Sequence, residues 1–184
     1  FFNQQDLAYS DRKDQALKMK NYLSLEQSHL RTSLIPNMLK NLQLNLKNQT
    51  QIQTFEFGRI YLKTENFMPA EETHLSIMQN GPQAFLKLKG ALENIIQGYN
   101  LKYQFKPSSA PNQSAHPNCC ADIIIQGQTI GQIYLINPKV LKQYDLAEET
   151  IAYSEINFGL FFQFSVTSNN TIKKFTVAYS KPPN

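Results

Sequence analysis

Apolar residues recur at Ile35, Leu39, Leu42 and Leu46, a spacing that lines them up on one face of an amphipathic helix. Ser33 stands where an N-cap belongs, and Pro36 falls in the first turn, where a missing amide costs no intrahelical hydrogen bond. After a polar gap the period changes. Phe55, Phe57 and Tyr61 fall on one side of a predicted strand and Glu56 on the other, so helix and strand together occupy residues 33–63. Residues 65–72 read as a loop, 74–78 as the return strand of a hairpin, and Gly81-Pro82 as the turn that closes it. A second amphipathic helix is predicted over 84–99 from Leu88, Leu92, Ile95 and Tyr99, with Gly98 weakening its end.

The remaining pattern is mostly strand. A strand remnant is expected at the N-terminus, followed by a polar stretch carrying Asp11, Arg12, Lys13 and Asp14. Residues 106–117, rich in Pro, Ser, Asn and Gln, read as a surface loop. Apolar strands at 121–125 and 129–136 flank Gln126-Gly127-Gln128, where glycine can take a positive φ. Asn137-Pro138 combines a cap with a first-turn proline and starts a short helix reaching about Tyr144. Strands at 153–164 and 173–179 complete an α+β fold with a mostly antiparallel sheet of about six strands. No internal repeat or heptad run is present.

Composition narrows the class. A chain of 184 residues with 41% hydrophobic and 11% aromatic residues can bury a core as one domain. No apolar run approaches the roughly 20 residues that span a bilayer, so a soluble protein with no membrane partner is expected. The net charge of +4 is a modest excess, of the kind a solvated surface carries. The two cysteines, Cys119 and Cys120, are adjacent, a placement that strains a disulfide, and free thiols in a reducing, cytoplasmic setting follow. His116 lies near them, but no second Cys or His cluster stands at zinc spacing, so no metal site is expected. The first residue is Phe1, with neither a basic start nor an apolar signal core, and the chain ends on Lys181-Pro182-Pro183-Asn184, which reads as a linker edge. The expectation is a single domain, residues 1–184, excised from a longer chain.

Leu30-Arg31-Thr32-Ser33-Leu34-Ile35-Pro36-Asn37-Met38-Leu39, followed by Phe55-Glu56-Phe57-Gly58-Arg59-Ile60-Tyr61, resembles a signature of the bacterial phenylalanyl-tRNA synthetase beta subunit. Asn21-Tyr22-Leu23-Ser24 is similar to the family's Asn-Pro-Leu-Ser lead-in, with tyrosine in place of proline. Leu88-Lys89-Gly90-Ala91-Leu92-Glu93 resembles its Leu/Phe-Lys-Gly-x-Leu-Glu helix start. His116-Pro117 followed by Ala121 resembles a His-Pro-x-x-x-Ala segment, with Cys119 where arginine is common. Gly131-Gln132-Ile133, then Asn137-Pro138-Lys139-Val140-Leu141, is similar to a further strand and helix, with Asn137 replacing histidine. The likeness runs from about Asn21 to Phe158. It implies the class II aminoacyl-tRNA synthetase-like core of the beta chain, a mostly antiparallel sheet flanked by helices. It also implies a catalytic alpha subunit as partner, in a complex that joins phenylalanine to tRNA(Phe) using ATP and magnesium.

Adenylate chemistry needs cationic groups aimed at the triphosphate. By the resemblance, one arginine follows the Gly-Arg-x-Tyr strand, where this chain has Leu62; another sits in a glycine-rich strand-to-helix turn, where it reads Glu155-Ile156-Asn157-Phe158-Gly159-Leu160-Phe161. No arginine follows Arg59. Lys63 could reach a phosphate, and Lys89 with Glu93 stands at i, i+4 spacing, which reads as a surface salt bridge. No phosphate-binding glycine loop, nucleophile elbow or paired metal-ligating histidines occur, and His29, His74 and His116 are scattered. The expectation is therefore an assembly module with no catalytic, cofactor or metal residues of its own, in which Arg31, Ile35, Leu39, Leu42, Leu46, Leu92 and Tyr99 are candidates for the partner interface. Two alternatives remain open: a catalytic or regulatory synthetase-like domain that binds a small ligand in the old cleft, and a direct tRNA-binding module using Lys40, Lys47, Arg59 and Lys63.

Overall fold

Six strands form one sheet in the order β1-β2-β6-β5-β4-β3, every neighbouring pair antiparallel, in the computed structural model, which describes residues 1–10, 12–65 and 68–168. The strands are β1 (Gln53–Leu62), β2 (Ala70–Asn80), β3 (Tyr103–Pro107), β4 (Ala115–Ile125), β5 (Gln128–Ile136) and β6 (Ile151–Asn157). The helices are α1 (Gln4–Ala8), α2 (Ile35–Asn45), α3 (Ala84–Gly98), α4 (Pro138–Gln143) and α5 (Phe158–Ser168). No helix among the described residues is long and apolar enough to cross a membrane.

The two-residue period of the strands sorts the core into two layers. On one face Met78, Tyr153 and Tyr134 stand side by side across β2, β6 and β5, and α2 and α4 pack on them through Ile35, Leu39, Leu42, Val140 and Leu141. On the other, Ile133, Ala152 and Ile156 meet Leu88, Leu92 and Ile96 of α3 and Phe161 of α5. Gly131 permits this: a Cβ there would stand 2.1 Å from the Glu155 carbonyl oxygen, so β5 and β6 pack closer than any other residue would allow.

Several expectations change. The start of the chain is helical rather than strand: Asn3 and Asp6 form a reciprocal capping box, and Phe2 makes an isolated bridge to His29. Ser33 does not cap α2. Its hydroxyl turns inward to Ser10, and the α2 N-cap is Leu34, whose amide donates to Glu155. β2 begins at Ala70, inside the stretch read as loop. The loop read over 106–117 conceals the end of β3 and the start of β4, so His116 lies on a strand. The strand read over 153–164 stops at Asn157, whose side chain accepts the Leu160 amide at 3.0 Å and turns the chain into α5. Gly127 has positive φ and Asn137 caps α4 by accepting the Lys139 amide, both as the sequence predicts, while Gln126 takes a positive φ that the sequence does not predict. The strand expected at 173–179 lies outside the described residues.

Candidate functional site

A cleft of about 330 Å³ opens on the α2 side of the sheet, lined by Arg12, Glu72, His74, Gln132, Glu155 and Asn157 among others. Glu72 and His74 are two apart on β2 and therefore share a face, and register places His74 opposite Asn157 and Ser76 opposite Glu155 on β6. His74 is nearly buried, with Nδ1 2.7 Å from Glu155 Oε1 and Nε2 2.9 Å from Glu72 Oε2. The second Glu155 oxygen accepts the Leu34 amide at 3.0 Å and the Tyr153 hydroxyl at 2.5 Å. Glu72 also accepts from Arg12, whose Nη1 lies 3.2 Å from both carboxylate oxygens, and from the Asn157 side-chain amide at 3.2 Å.

These partners set the charges. Burial disfavours an imidazolium at His74, but the hydrogen bonds to Glu155 and Glu72 outweigh it and raise the ring above the ordinary histidine range. The His74 hydrogen bond holds Glu72 down to about 2, with burial opposing and Arg12 assisting. Burial and the neighbouring Glu155 push the Tyr153 hydroxyl far above its usual range, so it acts as a donor. The cluster is thus two carboxylates facing the Arg12 guanidinium and the His74 ring, each held by other groups of the same chain.

The opposite face of the hairpin is chemically different. Phe55 is 72% exposed and Phe57 56% exposed on β1, and Phe162 of α5 is 53% exposed. Phe57 packs edge-on against Phe158 at 4.9 Å, and together with Phe162 they line an open groove; Phe55, Leu75, Ile77 and Ile95 line a second. The aromatic side of β1 foreseen in the sequence is a shelf open to solvent, while Ile60 and Leu62, on the other side, enter the core with Leu34.

The candidate interface residues divide. Ile35, Leu39, Leu42 and Leu92 are buried in the chain's own core, so their apolar stripes serve internal packing instead of a free surface. Leu46 is partly buried against that core, and Tyr99 is 39% exposed beside Phe161. Arg31 straps across β1, donating from Nε to the Arg59 carbonyl at 2.7 Å and from Nη1 to Glu56 at 2.5 Å. Gly58 makes room for it, since a Cβ there would stand 2.3 Å from Arg31 Nη2. The separated motifs Leu30–Leu39 and Phe55–Tyr61 thus meet through one arginine.

Of the RNA-contact candidates, Lys40 pairs with buried Asp6 at 2.6 Å and Arg59 with Glu71 at 3.1 Å, while Lys47 and Lys63 are exposed. Leu62 is buried, and Lys89 bonds Glu93 at 2.5 Å while lying over the Phe105 ring. Cys119 and Cys120 are free, and burial raises the Cys120 thiol to about 11. Among the described residues no group of three or more His, Cys, Asp or Glu side chains is placed to hold a metal ion.

Sequence reading missed Arg12, Glu72, Tyr153 and Glu155. The usable signal was polar residues at period two within apolar strands, Glu72/His74 and Glu155/Asn157.

Comparison with known proteins agrees with the helix-strand motif. Residues 1–158 match the family model described as the phenylalanyl tRNA synthetase beta chain CLM domain. The phenylalanine–tRNA ligase beta subunit of Listeria monocytogenes serotype 4b is 31% identical over 156 residues, covering 77% of this chain and 19% of that protein. That of Clostridium tetani is 29% identical over 170 residues, covering 91% of this chain and 21% of its own. The beta subunit of Leptospira borgpetersenii is 26% identical over 181 residues, covering 91% and 22%. The chain therefore spans about a fifth of the length of these curated relatives. With 158 of its residues matched, the chain belongs to the family of the phenylalanyl tRNA synthetase beta chain CLM domain.

Proposed function

We propose that this chain is a non-catalytic, class II synthetase-like module of a cytoplasmic phenylalanyl-tRNA synthetase beta chain, and that it assembles with the catalytic alpha chain. In this reading residues 1–184 form one module of a longer protein. Phenylalanine, ATP and magnesium are handled by the alpha chain, and tRNA(Phe) is met through the complex. The all-antiparallel sheet with helices on both faces supports the class II likeness.

One observation carries the reading: the cleft groups Arg12, Glu72, His74 and Glu155 are bonded to one another, while the β1 shelf presents exposed aromatic rings. A site that grips a triphosphate keeps cations free for the charge that develops in the reaction. Here Arg12 and His74 are committed to carboxylates of the same chain, and Leu62 points into the core. An assembly surface instead needs apolar area to desolvate, which Phe55, Phe57 and Phe162 offer, with Tyr99 exposed on the same side of the sheet.

The test is association of the 184-residue chain with a phenylalanyl-tRNA synthetase alpha chain, read by light scattering. The expected result is a defined complex that Phe57→Asp weakens by about tenfold or more. Two components that stay at their separate masses at micromolar concentration refute it.

A further inference from the structure

The residues around His74 come from three separate parts of the chain, and His74 bonds the two carboxylates that tie those parts together. Glu72 is on β2 and Glu155 on β6; Arg12 and the Leu34 amide belong to the segment that runs from α1 to α2. That segment also lies along the outer end of β1, where the Tyr61 amide donates to the Arg31 carbonyl at 2.9 Å and the Lys63 amide to the Gln15 carbonyl at 2.7 Å.

We propose that His74 is a proton-dependent clasp, which fastens residues 12–34 to the sheet while its ring carries both protons and lets that segment loosen when one leaves. This inference is independent of the assembly role.

The full set of facing groups supports it. From β2 comes Glu72; from β6 come Glu155, Tyr153 and Asn157; from the N-terminal segment comes Arg12; from the start of α2 comes the Leu34 amide. β5 contributes Gln132 and Tyr134 to the same cleft, the loop before β4 contributes Asn112, and α5 contributes Leu160. Both imidazole nitrogens face carboxylate oxygens, so a neutral ring must turn a lone pair toward one of them. The released carboxylate keeps its ties to the N-terminal segment, Arg12 at Glu72 or Leu34 at Glu155, but loses the cation that balanced it. Because the folded ring binds its proton more tightly than the unfolded one, the clasp is complete below the ordinary histidine range and is lost as pH rises through the folded value. Glu72 sets the lower edge, because the stability its ionised form contributes is present above about 4.5 and is lost as pH falls through its folded value of about 2.

The experiment is a nuclear magnetic resonance titration of the His74 ring in the 184-residue chain from about pH 6 to 9, with amide hydrogen exchange followed over the same range. Both ring nitrogens are expected to stay protonated past the ordinary histidine range. Protection of the Tyr61 and Lys63 amides, corrected for base-catalysed exchange, is expected to fall about tenfold through that transition, while the β4–β5 amides hold. His74→Gln, which keeps hydrogen bonding without a titrating proton, is expected to abolish the break. A wild-type ring that titrates at or below the ordinary value, or protection without a pH break, overturns the clasp whether or not the variant folds.

Discussion

His74 and Leu75 are neighbours in sequence, yet one belongs to a polar network of facing carboxylates, arginine and imidazole and the other to an apolar shelf that the helices cover only in part. Their cross-strand partners differ in the same way: Gly58 lies opposite His74, and the exposed Phe57 lies opposite Leu75. The period of the strand puts a saturated surface and an unsaturated one back to back on β2. Saturation on the cleft side leaves few free groups for a substrate, whereas exposure on the other side leaves apolar area that a partner can bury. The two faces therefore differ in what a substitution should do: loss of fold on one, loss of association on the other.

The largest effect is expected from Gly131→Ala. The new Cβ would meet the Glu155 backbone at 2.1 Å, which no rotamer relieves, so β5 and β6 must separate beneath the cluster. A loss of about 3 kcal/mol or more in urea unfolding is expected; a wild-type midpoint would show that the strands are not held so close. Glu155→Ala comes next. It leaves the Leu34 amide and the Tyr153 hydroxyl without their acceptor and His74 with one carboxylate, a change expected to cost about 2–4 kcal/mol by the same measurement.

Gly58→Ala is milder, because the Cβ would meet the movable end of Arg31. Arg31 must leave Glu56 and the Arg59 carbonyl, and about 1–2 kcal/mol is the expected loss. Arg31→Ala should make a subsequent Gly58→Ala nearly silent, and a double-mutant cycle measures that coupling. The smallest change in stability belongs to Phe57→Ser, within about 1 kcal/mol on so exposed a strand position, together with loss of the proposed alpha-chain binding. A variant that unfolds, or that binds unchanged, erases the contrast between the two faces.

Much of the fold was legible because it is local. The Ile35, Leu39, Leu42 stripe, the Asn137-Pro138 helix start and the Gly127 turn are each set by neighbours in sequence. What escaped depended on distant partners. Ser33 has the chemistry of a cap but finds Ser10 in a buried hydroxyl cluster, and the helix end it would have served receives Glu155 from far along the chain. Phe158, Phe161 and Phe162 continue the apolar run of β6 and read as strand, but the Asn157 cap redirects them into α5. The cleft was less legible than the fold: its members stand at positions 12, 72, 74 and 155, with the β2–β6 register aligning the last three and the N-terminal segment bringing Arg12. The shelf was visible as a pattern, but its exposure depends on which helices cover which strands.

The strand order has a bearing on how the protein emerges during synthesis. β1–β2 forms one antiparallel block and β3–β4–β5 another, and among the described residues the strand that joins them is β6, which follows the other five in the chain. Until residues 151–157 have been translated, the facing edges of β2 and β5 lack the strand that the described sheet places between them, and at roughly 5–20 residues per second the two half-sheets wait about 1–4 seconds for it. The same late strand brings Glu155, so the polar network and the closure of the sheet arrive in a single step.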